Sequence, residues 1–165
     1  MKTGLLSSSD TGAIASNLGC ILTGRKFTCA VAESCTGGMV GAAITSVAGS
    51  SDWFRGGVIA YSNDVKIRLL GVPEQVLVKH GAVSADTVAA MALGAAKLLE
   101  ADCTVAVSGV AGPGGGTDEK PVGLVFIGVF VCGTIATFRH LFAGDRAAVR
   151  GAAAAAALQH LIDQI

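Results

Sequence analysis

Charge is scarce in this sequence and evenly divided. Lys and Arg number 12, Asp and Glu number 12, and together they make up 15% of the 165 residues. With no basic patch and no acidic tail, the composition lacks the electrostatic footprint of a nucleic-acid binder, and no nucleic-acid partner is predicted. Paired cysteine motifs are also absent. The five cysteines (Cys20, Cys29, Cys35, Cys103, Cys132) contain no CxxC pair, which argues for reduced thiols rather than a disulfide framework or a zinc site. The three histidines (His80, His140, His160) lack metal-ligand spacing. No metal site is therefore expected, and no cofactor is predicted. The opening stretch "MKTGLLSSSD" has too short an apolar run for a signal peptide. The uncharged stretch "VGLVFIGVFVCGTIATF" (122–138) approaches membrane-spanning length. Its glycines, its central "CG" turn signal and its Val, Ile and Phe predict two buried strands in a hairpin instead. No membrane segment is expected, and the chain reads as cytoplasmic.

What the sequence does have is apolar surface. The length suits a single domain over residues 1–165, and the many Ala, Val and Gly suit either a compact interior or a face hidden in a homo-oligomer, which is the expected state. Helical spacing runs through 9–24 and stops at Gly24. A strand is predicted over 26–34, a helix over 36–49, a strand over 56–62 and a short helix over 63–70, stopped by Gly71 and Pro73. Ser84 is placed to cap a further helix, 103–109 reads as a buried strand, and 110–121 as a loop. The hairpin follows, and then a last helix with Asp145 in its first turn. Strands alternating with helices, then a late hairpin, predict a three-layer α/β/α sandwich around a mixed, mostly parallel sheet. In such sheets sites form where strands end and helices begin, which singles out 33–38, 61–66 and 108–117.

The first of these turns, "AESCTGG" (32–38), crowds a carboxylate, two hydroxyls and a thiol ahead of two glycines. Ser34 could simply cap the next helix, but Thr36 is better spaced for that task. Gly37 and Gly38 would leave the first helical N–H groups open to an anion or an oxyanion. A serine beside such donors is an acyl-transfer arrangement, and it needs a base. No histidine lies in a strand-end context, so Lys66 in "YSNDVK" (61–66) is the candidate. With Ser62 or Asn63 as cap it falls in the first turn of a helix, where burial and the helix dipole both favour a neutral amine. A solvated surface lysine is the competing reading, and a contact with Asp64 would keep it charged. Tyr61, the sole tyrosine, could stack on a planar ring or bond the pair, or could be a core-edge residue. Asn63 could bind substrate or cap the helix. The glycine-dense "SGVAGPGGGTDEKPVG" (108–123) could bring N–H groups to phosphate or sugar oxygens, or could be a turn; it has neither a GK[ST] nor a helix-opening GxGxxG. Arg146 and Arg150 lie one turn apart and could clamp a phosphate or form a surface pair with Asp145.

Together, "AESCTGG", "YSNDVKIRLLGV", "HGAVS", "SGVAGPGGGTDEKPVG" and "FAGDRAAVR" resemble, in order from about Phe27 to Arg150, the CinA C-terminal domain family, the nicotinamide-nucleotide amidohydrolases. The resemblance implies hydrolysis of the carboxamide of nicotinamide mononucleotide to nicotinic acid mononucleotide and ammonia. It implies a serine nucleophile and a lysine base at Ser34 and Lys66. Tyr61, Thr36, the glycine loop (Gly109, Gly112, Gly114, Gly115) and Arg146 carry over with them. Gly37, Gly38 and Asn63 complete the expected substrate contacts, and a small-molecule nucleotide is the expected partner. Cys35 is a rival nucleophile. A nucleotide-binding or regulatory module without catalysis, and an amidase for another small amide, are the competing functions. Many members of the family carry a further N-terminal domain, which this sequence does not contain.

Overall fold

The computed structural model describes residues 8–165, with side chains from Thr11 onward; residues 1–7, which hold most of the stretch judged too short for a signal peptide, lie outside it. Helix α1 (Ser8–Arg25) leads into β1 (Cys29–Glu33) and α2 (Met39–Thr45). Strand β2 (Phe54–Ile59), α3 (Asn63–Leu70), α4 (Glu74–His80) and α5 (Ala85–Leu99) follow. The chain then forms β3 (Cys103–Gly109), β4 (Leu124–Val131), β5 (Thr134–Leu141) and α6 (Arg146–Gln164).

The five strands make one sheet in the order β2-β1-β3-β4-β5. Strand β1 pairs in parallel with β2 and β3, while β4 is antiparallel to both β3 and β5. The sheet is thus mixed, with β4 alone running against the others. Because side chains alternate along a strand, each face has its own core. On one face Val31, Val105 and Ile127 meet Leu18 and Leu22 of α1, Val40 and Ile44 of α2, and Leu158 and Leu161 of α6. On the other, Ala32 and Ala106 meet Leu70 of α3, Leu77 of α4, and Val88 and Met91 of α5. Each fully buried Leu, Ile or Val contributes on the order of 1.5–3 kcal/mol. The result is the expected three-layer α/β/α arrangement. The 122–138 stretch is the expected hairpin, turning at Cys132-Gly133, and no helix among the described residues is long and apolar enough to cross a membrane.

Element boundaries shift for local reasons. Strand β1 starts three residues later than predicted, because Lys26 takes a positive φ of 59° at the end of α1. Helix α2 starts at Met39 rather than 36, because Gly37 and Gly38 both adopt positive φ, which breaks the helix before it. Helix α4 was not foreseen. Pro73 precedes it, Glu74 opens it, and Lys79 and His80 close it, the charge order that suits a helix dipole. Serine caps set two helices as expected: Ser62 accepts from the Val65 N–H and Ser84 from the Thr87 N–H. Asp145 is the residue before α6 and caps it through the Ala148 N–H.

Helix α5 lies unusually close to its neighbours at two glycines. A Cβ on Gly94 would fall inside the Leu70 carbonyl at the end of α3, and one on Gly128 would meet the Val88 carbonyl. Neither contact is with a flexible side chain, so the backbone itself would have to move. Gly94→Ala is expected to lower unfolding stability by roughly 3 kcal/mol, read as a reduced denaturation midpoint. A wild-type midpoint in that variant would mean that α5 is free to slide.

Candidate active site

Strands β1, β2 and β3 run in the same direction and end at the same rim of the sheet. The chain leaves β1 into Ser34, β2 into Tyr61, and β3 into the glycine-rich loop. These exits surround a cavity of about 240 Å³ whose wall includes Ser34, Cys35, Tyr61, Lys66, Gly109 and Arg146. A larger cleft of about 650 Å³ adjoins it, sharing Ala111 and Arg146 and reaching Pro113 and the start of α6. The larger space is the lesser candidate for chemistry, because the ionisable and nucleophilic groups converge in the smaller one.

Lys66 is 1% exposed and lies in the first turn of α3, behind the Ser62 cap. Its Nζ is 3.2 Å from Ser34 Oγ, 2.7 Å from the Ala60 carbonyl and 3.2 Å from the Tyr61 carbonyl. Asp64 does not reach it; that carboxylate pairs with Arg68 on the surface at 2.8 Å. Burial without a carboxylate partner holds the Lys66 pKa below the ordinary lysine value, with the Cys35 thiol opposing the shift. A neutral amine fits this cage well. Nζ faces three acceptor oxygens, and on loss of one proton its two remaining N–H bonds can serve the carbonyls and its lone pair the serine hydroxyl.

The turn that carries Ser34 is held from two sides. Glu33, also 1% exposed, accepts from the N–H groups of Gly38 at 2.9 Å, Val40 at 3.1 Å and Gly41 at 2.8 Å. Arg150 donates from Nε to the Cys35 carbonyl at 3.0 Å and from Nη2 to the Thr36 carbonyl at 2.9 Å. Neither role was legible beforehand, and both correct the expectations. The N–H groups at the start of α2 are satisfied by Glu33 and are closed to a substrate anion. Arg150 is engaged with the turn rather than paired with Arg146 as a clamp. Thr36 is no cap: the residue before α2 is Gly38, with no side-chain cap bond, and Thr36 Oγ1 is buried without a partner. The N–H groups of Cys35 and Thr36 contact the Cys35 sulfur, a weak acceptor. The Cys35 thiol is pushed up to about 11, chiefly by burial, with Glu33 adding to the shift and Arg150 opposing it. It is therefore protonated at neutral pH, a poor state for a nucleophile.

The other predicted residues divide. Tyr61 lines the cavity and is 61% exposed, but its hydroxyl accepts from Arg146 Nη2 at 3.1 Å, and only its backbone carbonyl touches Lys66. Arg146 also donates from Nη1 to the Gly112 carbonyl at 2.9 Å, which ties α6 to the glycine loop. Gly109 lies on the cavity wall, while Gly114 and Gly115 line neither space. Asn63 is exposed at the first position of α3 and is absent from both walls. Gly37 keeps room for Arg150, whose Nη2 would lie 3.3 Å from a Cβ there. Among the described residues no group of three or more His, Cys, Asp or Glu is arranged to hold a metal ion.

Replacing Glu33 by Gln keeps the shape but turns one acceptor oxygen into an N–H donor facing a backbone N–H. A loss of about 3 kcal/mol in unfolding stability is expected, measurable by urea denaturation. A neutral effect would show that the carboxylate does not hold the turn.

Comparison with known proteins gives a consistent picture. Residues 11–165 match the family described as CinA C-terminal domain. The chain is 46% identical over 160 residues to a protein named nicotinamide-nucleotide amidohydrolase PncC from Escherichia coli K12, covering 96% of this chain and 97% of that one. It is 52% identical over 138 residues to a putative competence-damage inducible protein from Halothermothrix orenii. That match covers 83% of this chain and 33% of the relative, so the chain spans about a third of such longer relatives. Among solved structures, a CinA superfamily protein from Escherichia coli superposes with a TM-score of 0.92 at 31% identity, covering 99% of this chain and 96% of that one. The competence/damage inducible protein CihA from Agrobacterium tumefaciens superposes with a TM-score of 0.91 at 38% identity, covering 93% and 94%. The chain belongs to the CinA C-terminal domain family.

Proposed function

We propose that this chain hydrolyses the carboxamide of nicotinamide mononucleotide, releasing ammonia and leaving nicotinic acid mononucleotide. The observation that carries the reading is the buried Lys66 amine, caged by two carbonyls and 3.2 Å from Ser34 Oγ. The PncC relative, matched along nearly its whole length, supports the choice of substrate. Neutral Lys66 takes the Ser34 proton as Oγ attacks the carboxamide carbon. The N–H groups of Cys35 and Thr36, beside the Cys35 thiol, are the donors this reading assigns to the developing oxyanion. The Lys66 ammonium returns the proton to the departing nitrogen, and ammonia leaves an acyl ester on Ser34. Water, deprotonated by the same amine, then cleaves that ester. The small cavity suits the pyridine carboxamide, with the Tyr61 ring beside it. The adjoining cleft suits the ribose phosphate, where Arg146 and the first turn of α6 supply positive character.

Ammonia release from nicotinamide mononucleotide is the direct test. Ser34→Ala is expected to reduce kcat by at least about 10³-fold while nucleotide binding persists. Cys35→Ala is expected to keep most of the activity. Binding without ammonia release in the wild type would favour a non-catalytic module, and full activity in Ser34→Ala would remove the serine from the mechanism.

The pH profile is a second test. Since burial lowers the Lys66 pKa, the fraction of neutral amine grows as pH rises through that lowered value. The kcat/KM for nicotinamide mononucleotide should therefore rise with pH along a limb whose midpoint lies below the ordinary lysine value of about 10.4. A rise centred in the ordinary lysine range would count against Lys66 as the base.

A further inference from the structure

The far end of the sheet from the cavity gathers three cysteines that the proposed reaction does not use. Cys29 opens β1 and Cys103 opens β3, and the two are register partners across the parallel pair. Cys132 belongs to the turn between β4 and β5, where Val131 pairs with Thr134 and leaves Cys132 and Gly133 as a two-residue loop. The Cys132 N–H donates to the Asp102 carbonyl at 2.9 Å, which fixes the turn against the start of β3. Cys103 itself pairs with Val131, the residue just before Cys132. Cys132 thus follows directly on the residue opposite Cys103, and its N–H bonds the residue just before Cys103, so the two cysteines sit at neighbouring positions at the ends of adjacent strands.

Two features make this more than a chance meeting of thiols. Cys132 takes a φ of 46° and Gly133 a φ of 99°, so both loop residues lie in the left-handed region. Hairpin loops of that kind favour Asn-Gly or Asp-Gly, and a cysteine at the first position is a strained choice. Accessibility also differs sharply: Cys132 is exposed, whereas Cys103 and Cys29 are fully buried. An oxidant in solvent can therefore reach only one member of the cluster directly.

We propose that Cys132 and Cys103 form an oxidation site, in which the exposed thiol reacts first and the buried one resolves it to a disulfide. With a peroxide as oxidant, Cys132 Sγ attacks the O–O bond and becomes a sulfenic acid, and one water is released. Cys103 Sγ then attacks Cys132 Sγ; the S–O bond breaks, and the departing hydroxide takes the Cys103 proton as a second water. Peroxide is reduced and the two thiols are oxidised to one S–S bond. Burial pushes the Cys103 thiol up to about 12, with Cys132 and Asp102 adding to the shift, so the second step is slow and governs formation of the bond. The bond would close a loop from 103 to 132 that contains the entire glycine-rich segment.

The test uses the whole chain, reduced and then exposed to hydrogen peroxide. Alkylatable thiols in the unfolded protein should fall from five to three, with the Cys103 and Cys132 peptides recovered as one linked species. The oxidised protein should also show a higher denaturation midpoint that dithiothreitol returns to the reduced value. Cys132→Asn, which installs a residue the turn favours, should fold at least as well as wild type and form no link, while Cys20→Ser should still form it. Recovery of a Cys29–Cys103 link would overturn the proposal. So would oxidation of Cys132 to a sulfinic acid with Cys103 still alkylatable.

Discussion

The site depends on one amine being kept out of water without a counter-ion. Lys66 reaches it because Ser62 starts α3 in the right register and because the chain leaves β2 with two carbonyls turned inward. Those carbonyls make burial of the lysine tolerable, since a desolvated amine with no acceptors would cost several kcal/mol. They do so without supplying a full negative charge. A carboxylate in their place would satisfy the same hydrogen atoms but would hold the proton on the nitrogen, and the proposed transfer from Ser34 would then be blocked.

The serine turn is held by two charged side chains that bond its backbone and not Ser34 Oγ or Lys66 Nζ. Glu33 lies under the start of α2 and absorbs three of its donors, while Arg150 reaches across from α6 to two carbonyls on the other side of the turn. Opposite charges on opposite sides fix Ser34 in place. They leave little freedom for the turn to relax when a neighbouring side chain changes. The division of labour is clear in the two arginines of α6: Arg150 holds the turn, and Arg146 joins Tyr61 to the glycine loop at the mouth of the cavity.

The parts of this arrangement written in local sequence could be read there. Ser62 before and Gly71 after delimit α3, and that places Lys66 in its first turn. Alternating strands and helices gave the layers and the rim at which the site forms. Contacts between distant segments could not be read. Arg150 and Cys35 are 115 residues apart, and nothing in either segment announces the other. Glu33 was closer to legible, since a glutamate five to eight residues before Gly38–Gly41 can fold back on their N–H groups once two positive-φ glycines turn the chain. Its effect was to reverse the reading of the glycines, which shape the turn more than they open it. Thr36 looked like a cap because its spacing was right for a helix starting at 36, and it lost that role when the helix started three residues later.

The two glycine contacts of α5 divide the molecule by its tolerance of change. On that face α5 meets α3 backbone to backbone at Gly94 and the sheet at Gly128, so at those two points there is no side chain to adjust when a residue grows. On the opposite face the same sheet is covered by Leu, Ile and Val from three helices, where a gain of volume at one position can be offset at another. Efforts to harden this domain against heat, or to alter its core composition, belong on the α1–α2–α6 side.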